Sequence, residues 1–163
     1  MNSLILRYAT KYGLDPAVVY GVCVKESCLN PKDAPALRKF NNKATRYEKD
    51  YIWLFKPGSW QTPLKIEMSQ QKTSWGIMQV MGAVLRELGY NPAGAISDIL
   101  HSVENQLNYG CRFLAQKTER YDRVAGIAAY NAGSPRRTKD GKYVNQDYVD
   151  KVLKYAGDWV DER

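Results

Sequence analysis

Glu26 is the residue of this chain from which acid–base chemistry reads most directly. It continues the apolar column Val18 and Val22 at the four-residue spacing of one helix face, near that helix's C-terminal end. A carboxyl group there loses water on one side and meets the negative end of the helix dipole on the other. Both effects favour the protonated acid, the form a general acid must hold near neutral pH. The same spacing also fits a boundary glutamate reaching solvent beside Lys25, because glutamate is rarely buried. Two further stretches carry groups suited to a polar ligand. In Ser74-Trp75-Gly76-Ile77-Met78-Gln79-Val80 the amide of Gln79 can hydrogen-bond a sugar or acetamido group, and Met78 with Trp75 can pack on a ring face. Ala128-Ala129-Tyr130-Asn131-Ala132-Gly133 joins small residues, which let backbones approach, to an aromatic and an amide. Each stretch also has a purely structural reading, as core Met and surface Gln in the first and a tight helix C-cap in the second.

The elements that must position these groups are mostly helical. Ser3 to Tyr12 fits a short helix closed by Gly13, and Asp15 fits an N-cap with Pro16 at the first helical position and Leu14 and Val19 as a hydrophobic staple. That second helix, with Val18, Val19, Val22 and Cys23 on one side, should stop near Cys28-Leu29-Asn30-Pro31. Residues 31–73 form the least regular stretch. Its prolines punctuate it, its aromatics (Phe40, Tyr51, Trp53, Phe55 among them) are too many for a solvated linker, and a helical piece fits Tyr47 to Phe55. From Gly76 a helical period returns at Ile77, Met78, Met81, Val84, Leu85 and Leu88, and closes at Gly89 with Pro92 beyond. Ser102 can cap a long helix carrying Val103, Leu107, Gly110, Cys111, Leu114 and Tyr121 on one side. Asp122 can cap another through Tyr130, and Asn145 a last one with Tyr148, Val149, Val152, Leu153, Ala156 and Trp159 inward.

Composition narrows the classes. The chain has 163 residues, which suits one domain over 1–163, and 44% hydrophobic with 25% charged residues is ordinary globular usage. No apolar run approaches the ~20 residues of a membrane helix, so membrane insertion is not expected. The N-terminus has no basic region followed by a long apolar core, so a secretory signal is not expected either. Cys23, Cys28 and Cys111 lack C-x-x-C spacing; core thiols are the default, with a Cys28–Cys111 bridge as the alternative. His101 is the only histidine, which leaves a multi-histidine metal site or a histidine triad little to build on. Net charge +7 favours polyanionic partners but does not choose among them. The run Arg136-Arg137-Thr138-Lys139 with Lys142 and Tyr143 fits either contact with an anionic wall polymer or a solvated loop. No recognition-helix or zinc motif points to specific nucleic-acid binding.

The order of the blocks says more than any one of them. Glu26-Ser27, then Asn30-Pro31, then Gly76-Ile77-Met78-Gln79-Val80, then Ala129-Tyr130-Asn131-Ala132-Gly133, then Tyr148 with Val152, resembles the soluble lytic transglycosylase (SLT) domain. That domain belongs to the lysozyme-like superfamily, glycoside hydrolase family 23. The resemblance runs from about Leu14 to about Tyr155. Arg46-Tyr47-Glu48, Gln70 to Gln79 and Tyr109-Gly110-Cys111 are similar to stand-alone versions in phage and bacterial genomes. The resemblance implies a mainly α, lysozyme-like fold with a long irregular insertion at about 31–73. It also implies cleavage of the peptidoglycan bond between N-acetylmuramic acid and N-acetylglucosamine, with formation of 1,6-anhydro ends. Glu26 matches the family's catalytic acid/base, and Ser27 the small polar neighbour that helps hold it. Met78 and Gln79 match residues lining the glycan cleft. Tyr130, Asn131 and Tyr148 match groups around the cleaved bond, with Tyr148 touching the glutamate.

One region departs from the pattern. The path from the Glu26 helix to the Gly-Ile-Met-Gln block is much longer here, a serine common in that path has no clear counterpart, and Arg46 stands near its place. The insertion supplies carboxylates at Glu48, Asp50 and Glu67, with Glu48 the first candidate for a second acid. A second carboxylate acting as base on water would make the enzyme an inverting hydrolase, at a carboxylate separation of about 6.5–9.5 Å. The resemblance therefore implies a monomeric enzyme acting on glycan strands in the cell wall, in the periplasm, outside the cell or on a virion, with no cofactor and no metal. A muramidase of the same fold and a non-catalytic wall-binding or virion structural module stand as alternatives.

Overall fold

The computed structural model describes residues 1–27, 45–47 and 61–160. The described residues are mainly helical. They comprise α1 (Asn2–Lys11), α2 (Pro16–Ser27), β1 (Thr45–Tyr47), α3 (Leu64–Gln71), β2 (Thr73–Trp75), β3 (Val80–Met81), α4 (Gly82–Glu87), a 3-10 helix (Ile96–His101), α5 (Val103–Tyr121), α6 (Arg123–Ala132) and α7 (Gln146–Ala156). The three strands form one antiparallel sheet in the order β1-β2-β3, with Arg46 opposite Ser74 and Trp75 opposite Val80.

Capping sets the helix boundaries much as the sequence requires. Asp15 Oδ1 accepts from Ala17 N at 2.9 Å, Ser102 accepts from Asn105 N at 3.1 Å, and Asp122 Oδ1 accepts from Ala125 N at 3.0 Å. Caps of this kind stabilise a helix by about 1 kcal/mol each. Gly13, Gly89 and Gly133 follow their helices with positive φ, as C-terminal stops. Asn145 does stand at the N-cap of α7, but its side chain makes no cap bond. Its Nδ2 instead donates to Ala128 O and Asn131 Oδ1, both at 3.0 Å, and so ties the start of α7 to the end of α6.

Two sequence expectations fail. The period beginning at Gly76 is not a helix: residues 76–79 form the turn of the β2–β3 hairpin, and α4 begins only at Gly82. Gly76 (φ 76°) and Gln79 (φ 49°) both lie in the left-handed region, which no right-handed helix contains. Ile77 and Met78 are buried because the turn folds inward. The stretch 31–73 also holds more regular structure than expected, since Thr45–Tyr47 is a strand and Leu64–Gln71 a helix. The sequence places Tyr47 in a helical piece running to Phe55; in the structure it ends a strand, and 48–55 lie outside the described residues. Helix α3 escapes a periodicity reading because its polarity is reversed. It buries Glu67 and Gln71 and exposes Leu64, Ile66 and Met68.

The reversal has an electrostatic cause. Arg86 of α4 meets Glu67 with Nε on Oε1 at 2.8 Å and Nη2 on Oε2 at 2.9 Å, and neither side chain has more than 1% of its surface exposed. Nη1 also donates to Tyr90 O and Asn91 O, and Nη2 to Gly94 O, so all five guanidinium hydrogens are used. Gln71 Nε2 adds a bond to Glu67 Oε1 at 2.8 Å. A pair satisfied this fully holds α3, α4 and the 90–94 loop together.

The core sits where α2, α5, α6 and α7 converge, with Val19, Val22, Leu107, Leu114, Ile127, Val149 and Val152 fully buried. Burying a side chain of this size stabilises by about 1.5–3 kcal/mol. Helix α2 touches α7 at backbone distance. A Cβ on Gly21 would stand 2.3 Å from Val152 O and 3.1 Å from Ala156 N, so only glycine permits this approach. The substitution Gly21→Ala should push α7 off α2 and lower stability by about 1–3 kcal/mol, read as a drop in Tm. Glu67→Gln should cost about 3–5 kcal/mol, because it leaves Arg86 buried without its charge partner. Burial alone would push the Glu67 carboxyl up, but hydrogen bonds from Arg86, Gln71 and Thr62 and the Arg86 charge outweigh it and hold it below its ordinary value of 4.5. Its stabilising contribution is therefore fully present above about pH 4.5 and is lost as pH falls through the lower folded value. Acid denaturation profiles of wild type and Glu67→Gln should converge below that point and separate above it.

Candidate active site

Glu26 is the penultimate residue of α2 and is half-buried. Its Oε1 accepts a hydrogen bond from Tyr148 Oη at 2.8 Å. The register follows from the helix contact just described. Gly21 faces Val152; five residues on, α2 has advanced about 7.5 Å at 1.5 Å per residue. One turn back from Val152 along the antiparallel α7 stands Tyr148. The pair so joined lies 122 residues apart in sequence.

The groups beneath Glu26 are buried and electrically neutral. Burial first, then the charge of Glu26, pushes the Tyr148 phenol well above its usual value, with Tyr130 adding to the effect. Tyr130 is raised in the same way, by burial and then by Glu26. Burial also raises the thiol of Cys23, with Cys111 and then Glu26 reinforcing it. Tyr148 therefore stays protonated across the working range and meets the carboxyl as a donor. Lys25 places its ammonium 5.3 Å from the centre of the Tyr148 ring, on the side chain next to Glu26. Cys23 and Cys111 are both free, buried thiols; Cys28 lies outside the described residues.

The hairpin turn is brought to this cluster by three contacts. Tyr130 Oη donates to Met78 O at 2.7 Å. Gln106 of α5 accepts from Ile77 N at 3.0 Å with Oε1 and donates to Ile99 O at 3.2 Å with Nε2. Met78 lies flat on Gly110, where a Cβ would stand 2.3 Å from its sulfur. Trp75 is buried and its indole Nε1 donates to Gln70 O at 2.8 Å. Thus Met78 and Trp75, which by residue type could line a ligand cleft, pack inward, and what Met78 contributes is its carbonyl. Gln79 follows it, half-buried, with its Nε2 donating to Gly76 O at 2.9 Å. Asn131 is exposed at the end of α6, held through its Oδ1 by Asn145. Ser27 is buried and donates to Cys23 O at 2.6 Å, closing the last turn of α2 behind Glu26.

The structure therefore gathers Glu26, Ser27, Tyr130 and Tyr148 with the turn that carries Met78 and Gln79. Glu48 and Asp50 lie outside the described residues. Glu67 is corrected: both its oxygens are held by Arg86 in a site without solvent, so it cannot act as a base on water. Gln106 was missed in the sequence. Its signal was a polar residue one position from Leu107 and four before Gly110, on a helix face otherwise buried. Among the described residues no three His, Cys, Asp or Glu side chains gather where an ion could be held, and no helix is long and apolar enough to cross a membrane.

No curated protein matches the sequence. Residues 3–152 match a family model described as the transglycosylase SLT domain, and the mainly helical architecture agrees with that match. The matched span holds every element from α2 to the Tyr148 turn of α7, together with the contacts that join them. The chain belongs to the SLT transglycosylase family, whose members are peptidoglycan lytic transglycosylases, glycosidases of the lysozyme-like superfamily.

Proposed function

We propose that this chain, as one domain over residues 1–163, cleaves the β-1,4 bond from N-acetylmuramic acid to N-acetylglucosamine and leaves 1,6-anhydro-muramoyl ends. The observation that carries the reading is the 2.8 Å bond from the buried Tyr148 phenol to Glu26 Oε1. It fixes the carboxyl's rotation and sets a permanent donor on one of its oxygens, the orientation a group that holds and moves a proton needs. Glu26 gives its proton to the glycosidic oxygen as the bond to the muramoyl anomeric carbon breaks. The carboxylate then takes the proton of the muramoyl C6 hydroxyl, whose oxygen closes on the anomeric carbon. Glu26 is protonated again at the end, and no water, metal or organic cofactor enters the balance. Tyr148 stabilises the carboxylate between the two transfers, as a hydrogen bond to a charged group is stronger than one to its neutral form.

Ser27 and Tyr130 serve this reaction by position. Ser27 closes the helix turn under Glu26, and Tyr130 holds the Met78 carbonyl and with it the hairpin turn. Gln79 and Asn131 are the side chains that meet the sugars, through their amides. The protein acts as a monomer on glycan strands of the cell wall, in the periplasm, at the cell exterior or on a virion. It has no sequence-specific role on nucleic acid. The loss of Glu67 as a base weakens the hydrolase alternative, which then needs a carboxylate from the 48–50 stretch.

Mass spectrometry of muropeptides released from purified peptidoglycan tests the reading. Wild type should release anhydro-muramoyl ends, and Glu26→Gln should keep the fold while losing activity by about 10²–10⁴-fold, the usual worth of a general acid. Reducing muramoyl ends would make the enzyme a muramidase. Release at the wild-type rate by Glu26→Gln would remove Glu26 from the chemistry. Tyr148→Phe keeps the ring in its packing and removes one hydrogen bond to a charged group, worth about 1.5–3 kcal/mol. Its kcat should fall by about 10- to 100-fold with little change in Tm.

A further inference from the structure

The connection from α6 to α7, residues 133–145, holds a dense cluster of exposed positive charge. Arg136, Arg137, Lys139 and Lys142 stand against the single carboxylate of Asp140, and all are exposed. The connection is a closed hairpin. Val144 N donates to Arg136 O at 3.0 Å, Thr138 N to Lys142 O at 2.8 Å, and Gly141 N to Thr138 O at 3.0 Å. Arg137 is used up in building it: its guanidinium lies 4.2 Å from the centre of the Tyr143 ring, donates to the Tyr143 hydroxyl at 2.9 Å and to Gly141 O at 2.6 Å. Asp140 is likewise taken, accepting from the Thr138 hydroxyl. Arg136, Lys139 and Lys142 make no ion pair within the described residues, and their backbones are fixed.

The hairpin sits at the edge of the site. It leaves α6 two residues after Asn131 and enters α7 at Asn145, which is bonded to Asn131 and stands three residues before Tyr148. A glycan strand lying across Glu26 brings neutral sugars to the cleft. The negative charge of peptidoglycan is carried on the short peptides that hang from its muramoyl units, as free carboxylates. The geometry points to this hairpin as a docking surface for those peptide carboxylates, with Arg136, Lys139 and Lys142 as the contacts, so that the enzyme prefers peptide-bearing strands to bare glycan. The inference rests on the proposed action on glycan at Glu26. Nucleic acid is the poorer occupant, because the hairpin's one aromatic, Tyr143, is buried under Arg137 and offers no face on which a base could stack.

Binding measured without turnover separates this inference from the catalytic one. Two proteins are compared, Glu26→Gln alone and Glu26→Gln with Arg136→Gln, Lys139→Gln and Lys142→Gln. Each is titrated with soluble, uncrosslinked peptide-bearing strands, with the same strands after amidase removal of their peptides, and with a random DNA duplex. The hairpin's hydrogen bonds run through backbone atoms and Arg137, so the added substitutions leave its frame intact, and an unchanged Tm checks this. The Glu26→Gln protein should bind peptide-bearing strands about tenfold more tightly than bare ones, from three exposed charge contacts. The added substitutions should abolish that difference, and salt should abolish it too. Equal affinity of Glu26→Gln for both strands, an unchanged preference in the quadruple variant, or a loss confined to DNA would each overturn the inference. Peptide-dependent binding by Glu26→Gln, with no cleavage by wild type, would fail the catalytic reading alone.

Discussion

The contact of α2 with α7 at Gly21 is the constraint on which the site depends. With no Cβ at Gly21, the backbone oxygen of Val152 can enter space that any other residue would fill. That approach sets the distance between two helix axes and the register along them. Register is what matters for the chemistry, since a shift of one residue along α7 would turn Tyr148 by about 100° away from Glu26. The apolar side chains around the contact, Val18, Val22, Val149 and Val152, then hold it by burial. A bond between residues 26 and 148 is thus the consequence of a contact made one turn deeper in the core, where water cannot loosen it.

The hairpin is positioned by more than packing: Ile77 and Met78 are buried in the core, and the polar backbone groups of the turn need partners as well. It is held by residues of two helices: Tyr130 of α6 donates to the Met78 carbonyl, Gln106 of α5 accepts from the Ile77 amide, and Gly110 of α5 leaves room for the Met78 side chain. Behind the hairpin, Arg86 and Glu67 fasten α3 to α4, and the Gln70 carbonyl of α3 accepts from Trp75 on β2. Burying a charged pair gives little net stability compared with an apolar pair, but it fixes one arrangement, since any other would strand a charge. The sheet side of the molecule is in this way ordered by directional bonds together with the burial of Ile77 and Met78, and the helical side mainly by volume.

The same division explains what could be read from the sequence. Helix starts at Asp15, Ser102 and Asp122 were legible because a cap is local: the side chain and the amide it accepts from lie two or three residues apart. The inward faces of α2, α5 and α7 were legible because volume packing leaves a period. The hairpin was not, because Ile77, Met78 and Met81 fall at helical spacing by coincidence of a turn with a two-residue strand, and only the positive φ of Gly76 and Gln79 separates the two. Helix α3 was not, because its buried face is polar and its partner Arg86 lies 19 residues away. Within the candidate site, the contact of Tyr148 with Glu26 is legible from their family positions. The role of Gln106 is not, since it depends on long-range bonds that leave no local pattern, and for the same reason the sequence leaves Met78 open between cleft and core.

A last consequence concerns charge. Around the carboxyl of Glu26 lie two phenols and a thiol, each acidic enough in water to ionise at high pH, yet here all three are held neutral, first by burial, then for the phenols by the charge of Glu26 and for the thiol by Cys111 and Glu26. The dependence is mutual. A negative Glu26 makes each of them a weaker acid, and their neutrality keeps the space under Glu26 free of a competing negative charge. Within this cluster, Glu26 is the acidic side chain that stands half in solvent. The hydroxyl of Tyr148 gives that carboxyl a fixed donor and keeps its own proton. The fold sets this asymmetry by burying Tyr130, Tyr148 and Cys23 while leaving Glu26 half in contact with solvent, and it is the asymmetry that the proposed exchange of a proton at a single acid would use.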